Sequence, residues 1–209
     1  MELLKNLNWR YATKKFDTSK KISNNDLDKL KEAVQLSVSS YGLQLYKILI
    51  IKNSEIREQL KPVSWNQSQI TDASHLFVFC NYIDASPEAI DAFIKQTAET
   101  RNLDLDRLNG YGDFIKSKLA EKSTEDKTSW LKSQTYLALG NLLNACAELK
   151  IDACPMEGFE PEAYNKILNL KSQGLNAAVI APVGYRHKDD HTIGLPKVRK
   201  PIEQLFDII

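Results

Sequence analysis

Glycine is scarce here, eight in 209 residues, and neither a G-x-G-x-x-G dinucleotide fingerprint nor a P-loop can be written from them. Cysteine is rarer still. Cys80, Cys146 and Cys154 are odd in number and never spaced C-x-x-C, which reads as buried free thiols in a reducing cytoplasm. No excess of one charge exists: 28 Lys+Arg against 27 Asp+Glu leaves +1, too little to build the basic face a nucleic-acid binder needs. No apolar run is long enough to span a bilayer, and Met1-Glu-Leu-Leu-Lys-Asn6 is not a signal peptide. Repeats and Pro/Ser-rich linkers are missing too, so residues 1–209 read as one domain of ordinary size.

What is there alternates between helices and a few apolar strands. Ser23-Asn-Asn-Asp26 opens a helix through about Leu36 with Leu27, Leu30, Ala33 and Val34 on one face. Tyr46–Ile51 reads as a buried strand, and Asn53 or Ser54 then caps a helix through Leu60. His75–Tyr82 and Asn176–Tyr185 are further strands, rich in β-compatible residues. Ser86-Pro87 starts another helix, since proline at the first helical position needs no amide partner. The stretch from Glu88 to Glu121 is polar and broken near Asn109-Gly-Tyr-Gly112, a peripheral helical excursion at about 86–128. From about Trp130 to Lys150 a helix carries a broad apolar stripe (Leu131, Ala138, Leu139, Leu142, Leu143, Cys146, Leu149), with Gly140 read as a site of close backbone packing. Such a helix is either core or a subunit interface.

Three distant segments carry the chemistry. Arg10-Tyr-Ala-Thr-Lys14-Lys-Phe16 and Leu195-Pro-Lys197-Val-Arg199 each place two cations close together near opposite ends of the chain. Taken separately, either pair is solvated surface charge. Together they make a fork for a phosphate, where arginine can bond two oxygens at once. Pro155-Met-Glu-Gly-Phe159 is a turn-forming segment behind the apolar helix. Two cationic clamps and one exposed backbone turn suit a planar cofactor with a phosphate tail.

These segments, with Ser39-Ser-Tyr-Gly-Leu-Gln44, Trp65-Asn66 through Asp72-Ala-Ser-His75, and Trp130 with Gln134, occur in the order seen in the FMN-dependent nitroreductase family. The chain resembles that family over essentially its whole length, close to the branch of oxygen-insensitive NAD(P)H nitroreductases and dihydropteridine reductases. The resemblance implies an α+β, three-layer fold: a central, mainly antiparallel sheet flanked by helices. It also implies an intimate homodimer with FMN at the subunit interface and NADH or NADPH as electron donor.

By the same resemblance, Arg10, Tyr11, Ala12, Lys14, Lys197 and Arg199 hold the FMN phosphate and ribityl chain. Tyr11 and Ala12 stand where relatives often carry His and Ser, so Ala12 offers only its backbone. Ser39, Ser40 and Gly42 reach the dimethylbenzene side from the other subunit, Leu45 replacing a frequent proline. Asn66 and Gln69 suit the pyrimidine edge, and Gln134 joins the cofactor set. Gln69 replaces the lysine of several relatives, which implies a lower flavin potential than in those relatives. Pro155 and Met156 pack against one ring face, the Glu157 amide points at flavin N5, and Gly158 lets the backbone come close. No catalytic side chain is needed, because the flavin performs the redox step. Tyr111 and Phe114 are candidates for the aromatic wall of the substrate pocket, with packing an equal explanation.

His187-Lys-Asp-Asp-His191 has metal-ligand residue types but sits in a polar loop, and no metal is expected there. Leu205, Phe206, Ile208 and Ile209 make an apolar tail that suits docking on a partner subunit. The expected function is two-electron, ping-pong reduction of nitroaromatics, quinones or related small acceptors. Dihydropteridine or flavin reduction is the enzyme alternative, and a non-catalytic flavin-binding or sensor protein the alternative of another class.

Overall fold

A computed structural model describes residues 1–209. Its elements are α1 (Glu2–Trp9), α2 (Asn24–Gln35), β1 (Tyr46–Ile51), α3 (Ser54–Leu60), α4 (Gln69–Asp72), β2 (His75–Tyr82), α5 (Pro87–Arg101), α6 (Asp106–Ala120), α7 (Thr124–Glu148), β3 (Asp152–Ala153), α8 (Pro161–Ile167) and β4 (Leu175–Gly184). The four strands form one sheet in the order β1-β2-β4-β3, antiparallel at every pairing. No helix is long and apolar enough to cross a membrane.

Alternation along the strands sorts the core into two layers. On β2, Leu76, Val78 and Cys80 face a cluster with Leu60, Phe159 and Tyr164, while Phe77 and Phe79 face α2 and α7 through Leu30, Leu142 and Cys146. A bulge between Phe79 and Cys80 shifts the register against β4 without moving either residue out of its layer. Helices therefore flank the sheet on both sides, as expected.

Caps explain where several helices begin. The side chains of Ser23, Asn53 and Ser86 accept from the amides of Asp26, Ile56 and Ala89 at 3.1, 2.9 and 3.3 Å. The long helix starts earlier than its apolar stripe suggests, because Ser123 accepts from the Asp126 amide at 3.1 Å and opens a polar first turn at Thr124.

The helical excursion differs from the sequence reading in two ways. The break falls at Asn102, in the left-handed region, and the expected break at Asn109-Gly-Tyr-Gly112 lies inside α6. Gly112 serves packing instead: a Cβ there would stand 3.1 Å from Ile94 of α5. The segment also has an apolar core of its own, with Ile90, Ile94, Ile115 and Leu119 buried against Leu43, Leu45 and Leu131. Gly140 is a third correction. Nothing beyond its own helix lies within 4 Å of a Cβ placed there, so the expected close backbone packing is not found in the chain.

Candidate functional site

The two ends of the chain meet at one end of the sheet. After α1 the chain runs extended from Arg10, with Ala12 bridging to Ala153 of β3 and Phe16 to Arg186 beyond β4. The amide of Asp17 donates to the Tyr185 carbonyl at 2.8 Å, and that of His187 to Lys15 at 2.9 Å. A turn through residues 187–194 then reverses the chain, so that Leu195–Arg199 returns beside Arg10. The Lys197 ammonium donates to the Arg10 carbonyl. Arg10, Tyr11, Ala12, Thr192, Leu195, Pro196, Lys197 and Arg199 line a cavity of about 290 Å³.

Buried Asp190 clasps the reversal. Its Oδ2 accepts from the amides of Lys14 and Lys15 at 2.8 and 3.1 Å and from the Tyr11 hydroxyl at 3.3 Å. Its Oδ1 accepts from the Thr192 amide and hydroxyl at 2.9 and 2.6 Å. Burial pushes this carboxyl up, but the hydrogen bonds from Thr192, Lys15 and Lys14 outweigh it and bring the pKa down to about 2. Beside it, Arg186 donates from Nε and its backbone amide to buried Asp152, both at 2.8 Å. Nη2 stands 2.6 Å from Oδ1, held by charge rather than by an aligned hydrogen bond. The guanidinium lies 4.2 Å from the Trp9 ring centre and 4.5 Å from that of Tyr11.

The cations are crowded and unneutralised. None of Arg10, Lys14, Lys197 and Arg199 forms an ion pair with a carboxylate. Burial lowers the Arg10 pKa and Arg199 lowers it further; Lys197 is lowered by burial, then by Arg10, Arg199 and Arg186. Positive groups that destabilise one another suit an anion of more than one charge. Burial raises the Cys154 thiol while Lys14 and Arg10 pull the other way, so both cations lie within electrostatic reach of the residue before Pro155.

The turn that follows is pinned from below. The amides of Cys154 and Met156 donate to Pro182 and Ile180 at 3.0 and 2.8 Å, and the Met156 side chain is buried in the core. Gln67 Nε2 donates to the Gly158 carbonyl at 2.9 Å, and Trp65 packs so closely that a Cβ on Gly158 would meet its ring at 2.8 Å. The Tyr136 hydroxyl donates to the Glu157 carboxylate. The amides of Glu157 and Gly158 donate to no backbone carbonyl, which leaves two adjacent donors at the tip. Free donors beside unpaired cations fit a flavin mononucleotide, whose phosphate and ring nitrogens accept.

Other expected residues sit apart from this cavity. Asn66 is exposed, with a left-handed backbone at Trp65 and Asn66, whereas Gln69 is buried at the start of α4. The loop of Ser39, Ser40 and Gly42 is fixed by Gln134, whose Oε1 accepts from the Ser40 amide at 2.8 Å, while Gly42 packs on Phe93. Gln134 and Tyr136 are two residues apart on α7, so they point about 200° apart. One faces the 39–42 loop and the other the Glu157 turn, on opposite sides of the helix. Tyr111 and Phe114 lie on α6, 44 % and 48 % exposed. Asp190, Thr192, Arg186, Asp152, Tyr136 and Gln67 were not nominated from sequence. Only Asp190 carried a signal, within the His187–His191 stretch of metal-ligand residue types, where no metal was expected.

The chain resembles known proteins in sequence and in fold. It is 32% identical over 214 residues to the major NAD(P)H-flavin oxidoreductase of Aliivibrio fischeri, covering 99% of this chain and 98% of that one. It is 31% identical to the oxygen-insensitive NAD(P)H nitroreductase of Salmonella typhimurium, covering 93% of each. A nitroreductase-like protein from Streptococcus mutans superposes with a TM-score of 0.87 at 21% identity, over 100% of this chain and 98% of that one. A protein from Exiguobacterium sibiricum solved in complex with FMN gives 0.84 at 20%, with the same coverage. Residues 7–185, from α1 through the end of β4 to Tyr185, match the family model described as "Nitroreductase family". Sequence and fold agree, and the chain belongs to the nitroreductase family.

Proposed function

We propose that this protein is a homodimeric FMN oxidoreductase that takes electrons from NADH or NADPH and passes them, two at a time, to nitroaromatics, quinones or related small acceptors. The observation that carries this reading is the unneutralised cluster of Arg10, Lys197 and Arg199 beside a turn with two free amides. The names of the Aliivibrio and Salmonella relatives support the nicotinamide donor and, among acceptors, flavins and nitro compounds, and the Exiguobacterium structure supports the cofactor. Bound FMN supplies hydride acceptance and donation at N5, so no side chain has to perform the redox step.

The protein's own tasks are binding, orientation and exclusion of water. Arg10, Lys14, Lys197 and Arg199 hold the phosphate, with the backbone of Tyr11 and Ala12 along the ribityl chain. The Glu157 amide is offered to the ring nitrogen, and Gln67, Trp65 and Tyr136 hold that turn in place. Asn66 and Gln69 serve the pyrimidine edge. Because Ser39, Ser40, Gly42 and Gln134 sit across α7 from the turn, they complete the site of the partner protomer rather than their own. Tyr111 and Phe114 wall the acceptor pocket.

Dimerisation is supported by apolar surface a lone protomer would leave wet. Leu137 on α7 is 45 % exposed one turn from Gly140, and Leu205, Phe206, Ile208 and Ile209 are all exposed. Residues 1–209 are read as one FMN-binding domain bearing the α5–α6 excursion. Three unpaired, buried thiols suit a reducing cytoplasm. Flavin reductase activity is the second reading, favoured by the name of the Aliivibrio relative.

Purified protein tests the proposal directly. A yellow dimer bleached anaerobically by NAD(P)H and recoloured by a nitroaromatic or quinone supports it. A yellow protein that neither nicotinamide bleaches favours a sensor, and a protein unable to take up FMN defeats both.

A further inference from the structure

Asp190 presents an unusual arrangement: a carboxylate among cations that neutralises none of them through an ion pair. Its oxygens accept five hydrogen bonds, three from the Arg10–Lys15 side (the amides of Lys14 and Lys15, the Tyr11 hydroxyl) and two from Thr192, which leads into Leu195–Arg199. Two segments, with Asp190 bonding residues 175 to 179 positions away, are thus joined through one side chain. The cations on those segments repel one another, as the depression of Arg10 by Arg199 and of Lys197 by both arginines records. That repulsion opposes the approach of Leu195–Arg199 to Arg10. The Lys197 contact to the Arg10 carbonyl is made by one of the repelling groups, and the His187 amide to the Lys15 carbonyl and the Lys15–Asp189 ion pair join the segments only at the start of the turn.

We propose that Asp190 is a positioning residue: it pre-assembles the phosphate cradle from the two ends of the chain, and so sets the preference of the site for a phosphorylated flavin over the same flavin lacking phosphate. This rests on the FMN function proposed above. Every partner of Asp190 is a donor, so the position demands an acceptor on both oxygens. Asparagine has nearly the same shape but turns an NH₂ toward one of the two donor sets. Whichever oxygen is replaced, one segment is pushed off.

Charge and geometry give opposite signs, which makes the proposal testable. Acting through charge alone, a carboxylate near the phosphate weakens FMN binding, and its removal would tighten it. Acting as a clasp, its removal loosens FMN and leaves riboflavin alone.

The experiment is titration of flavin-free protein with FMN and with riboflavin, read by flavin fluorescence, on wild type, Asp190→Asn and Thr192→Val. The expected result for Asp190→Asn is a loss of FMN affinity of roughly 10- to 100-fold. Riboflavin affinity should stay within about 3-fold of wild type. Thr192→Val, which removes one hydroxyl donor and is mild enough to fold if Asp190→Asn does not, should lower FMN affinity by about 3- to 10-fold with the same selectivity. FMN affinity that holds or rises overturns the proposal, as does an equal loss for both flavins, the mark of a merely structural role. Wild type that binds FMN no tighter than riboflavin defeats the FMN reading itself, and does so before any substitution is made.

Discussion

The end of the sheet that gathers the cations and the α5–α6 excursion are stabilised in opposite ways. At the first, polar side chains do the joining. Asp190 joins residues 11–15 to Thr192, and Asp152 of β3 accepts from both Arg186 and the Thr13 hydroxyl, while the ring faces of Trp9 and Tyr11 enclose the guanidinium. At the second, Ile90, Ile94, Ile115 and Leu119 form a small apolar core between neighbouring helices, with no buried ionic pair. Hydrogen bonds fix direction and apolar burial does not. The proposed cofactor tail needs direction, whereas the proposed acceptor wall needs only support.

This contrast can be broken from either side. The largest effect is expected from Arg186→Ala. It strands buried Asp152 and removes the cation between Trp9 and Tyr11, so urea denaturation should show a loss of about 3–5 kcal/mol together with loss of FMN. Ile115→Ala should cost about 3 kcal/mol through a cavity between α5 and α6, yet leave the ratio of FMN to riboflavin affinity unchanged. A changed ratio would mean the two regions are coupled. Gly158→Ala drives a Cβ into Trp65 and should cost about 1–3 kcal/mol while slowing bleaching by NAD(P)H, because the Glu157 amide moves with the turn. Ser123→Ala removes only a cap and should cost about 1 kcal/mol, with no effect on flavin binding.

Acidification gives the finest test. The Asp190 carboxyl is held near 2 in the fold, below its value in the unfolded chain. Its contribution to stability is therefore complete above about pH 4 and is lost as pH falls toward 2. Thermal melts of wild type and Asp190→Asn should converge over that interval. A gap that persists at pH 2 would show that the carboxylate is not the source.

Much of this was legible because it is local. Ser23, Asn53 and Ser86 announce their helices within three residues, and β1, β2 and β4 are apolar runs with clear ends. Arg10, Lys197 and Arg199 stood out by their spacing, and the structure brings them to one cavity. What was missed depends on tertiary partners. The two-residue β3 has no pattern of its own, and Gly112 looks like a helix breaker until Ile94 is placed beside it. Asp190 sits in a polar loop of metal-ligand residue types where no metal was expected, and its role appears only when residues 14 and 15 arrive from the other end of the chain. No single-chain pattern encodes a hydrogen bond across 176 positions.

A crystal structure of the dimer grown with FMN tests the central claim most directly. The account predicts the phosphate within hydrogen-bonding distance of Arg10, Lys197 and Arg199, the Glu157 amide facing N5, and residues 39–42 arriving from the second protomer. A flavin bound with its phosphate away from those three cations, or wholly within one protomer, would contradict it.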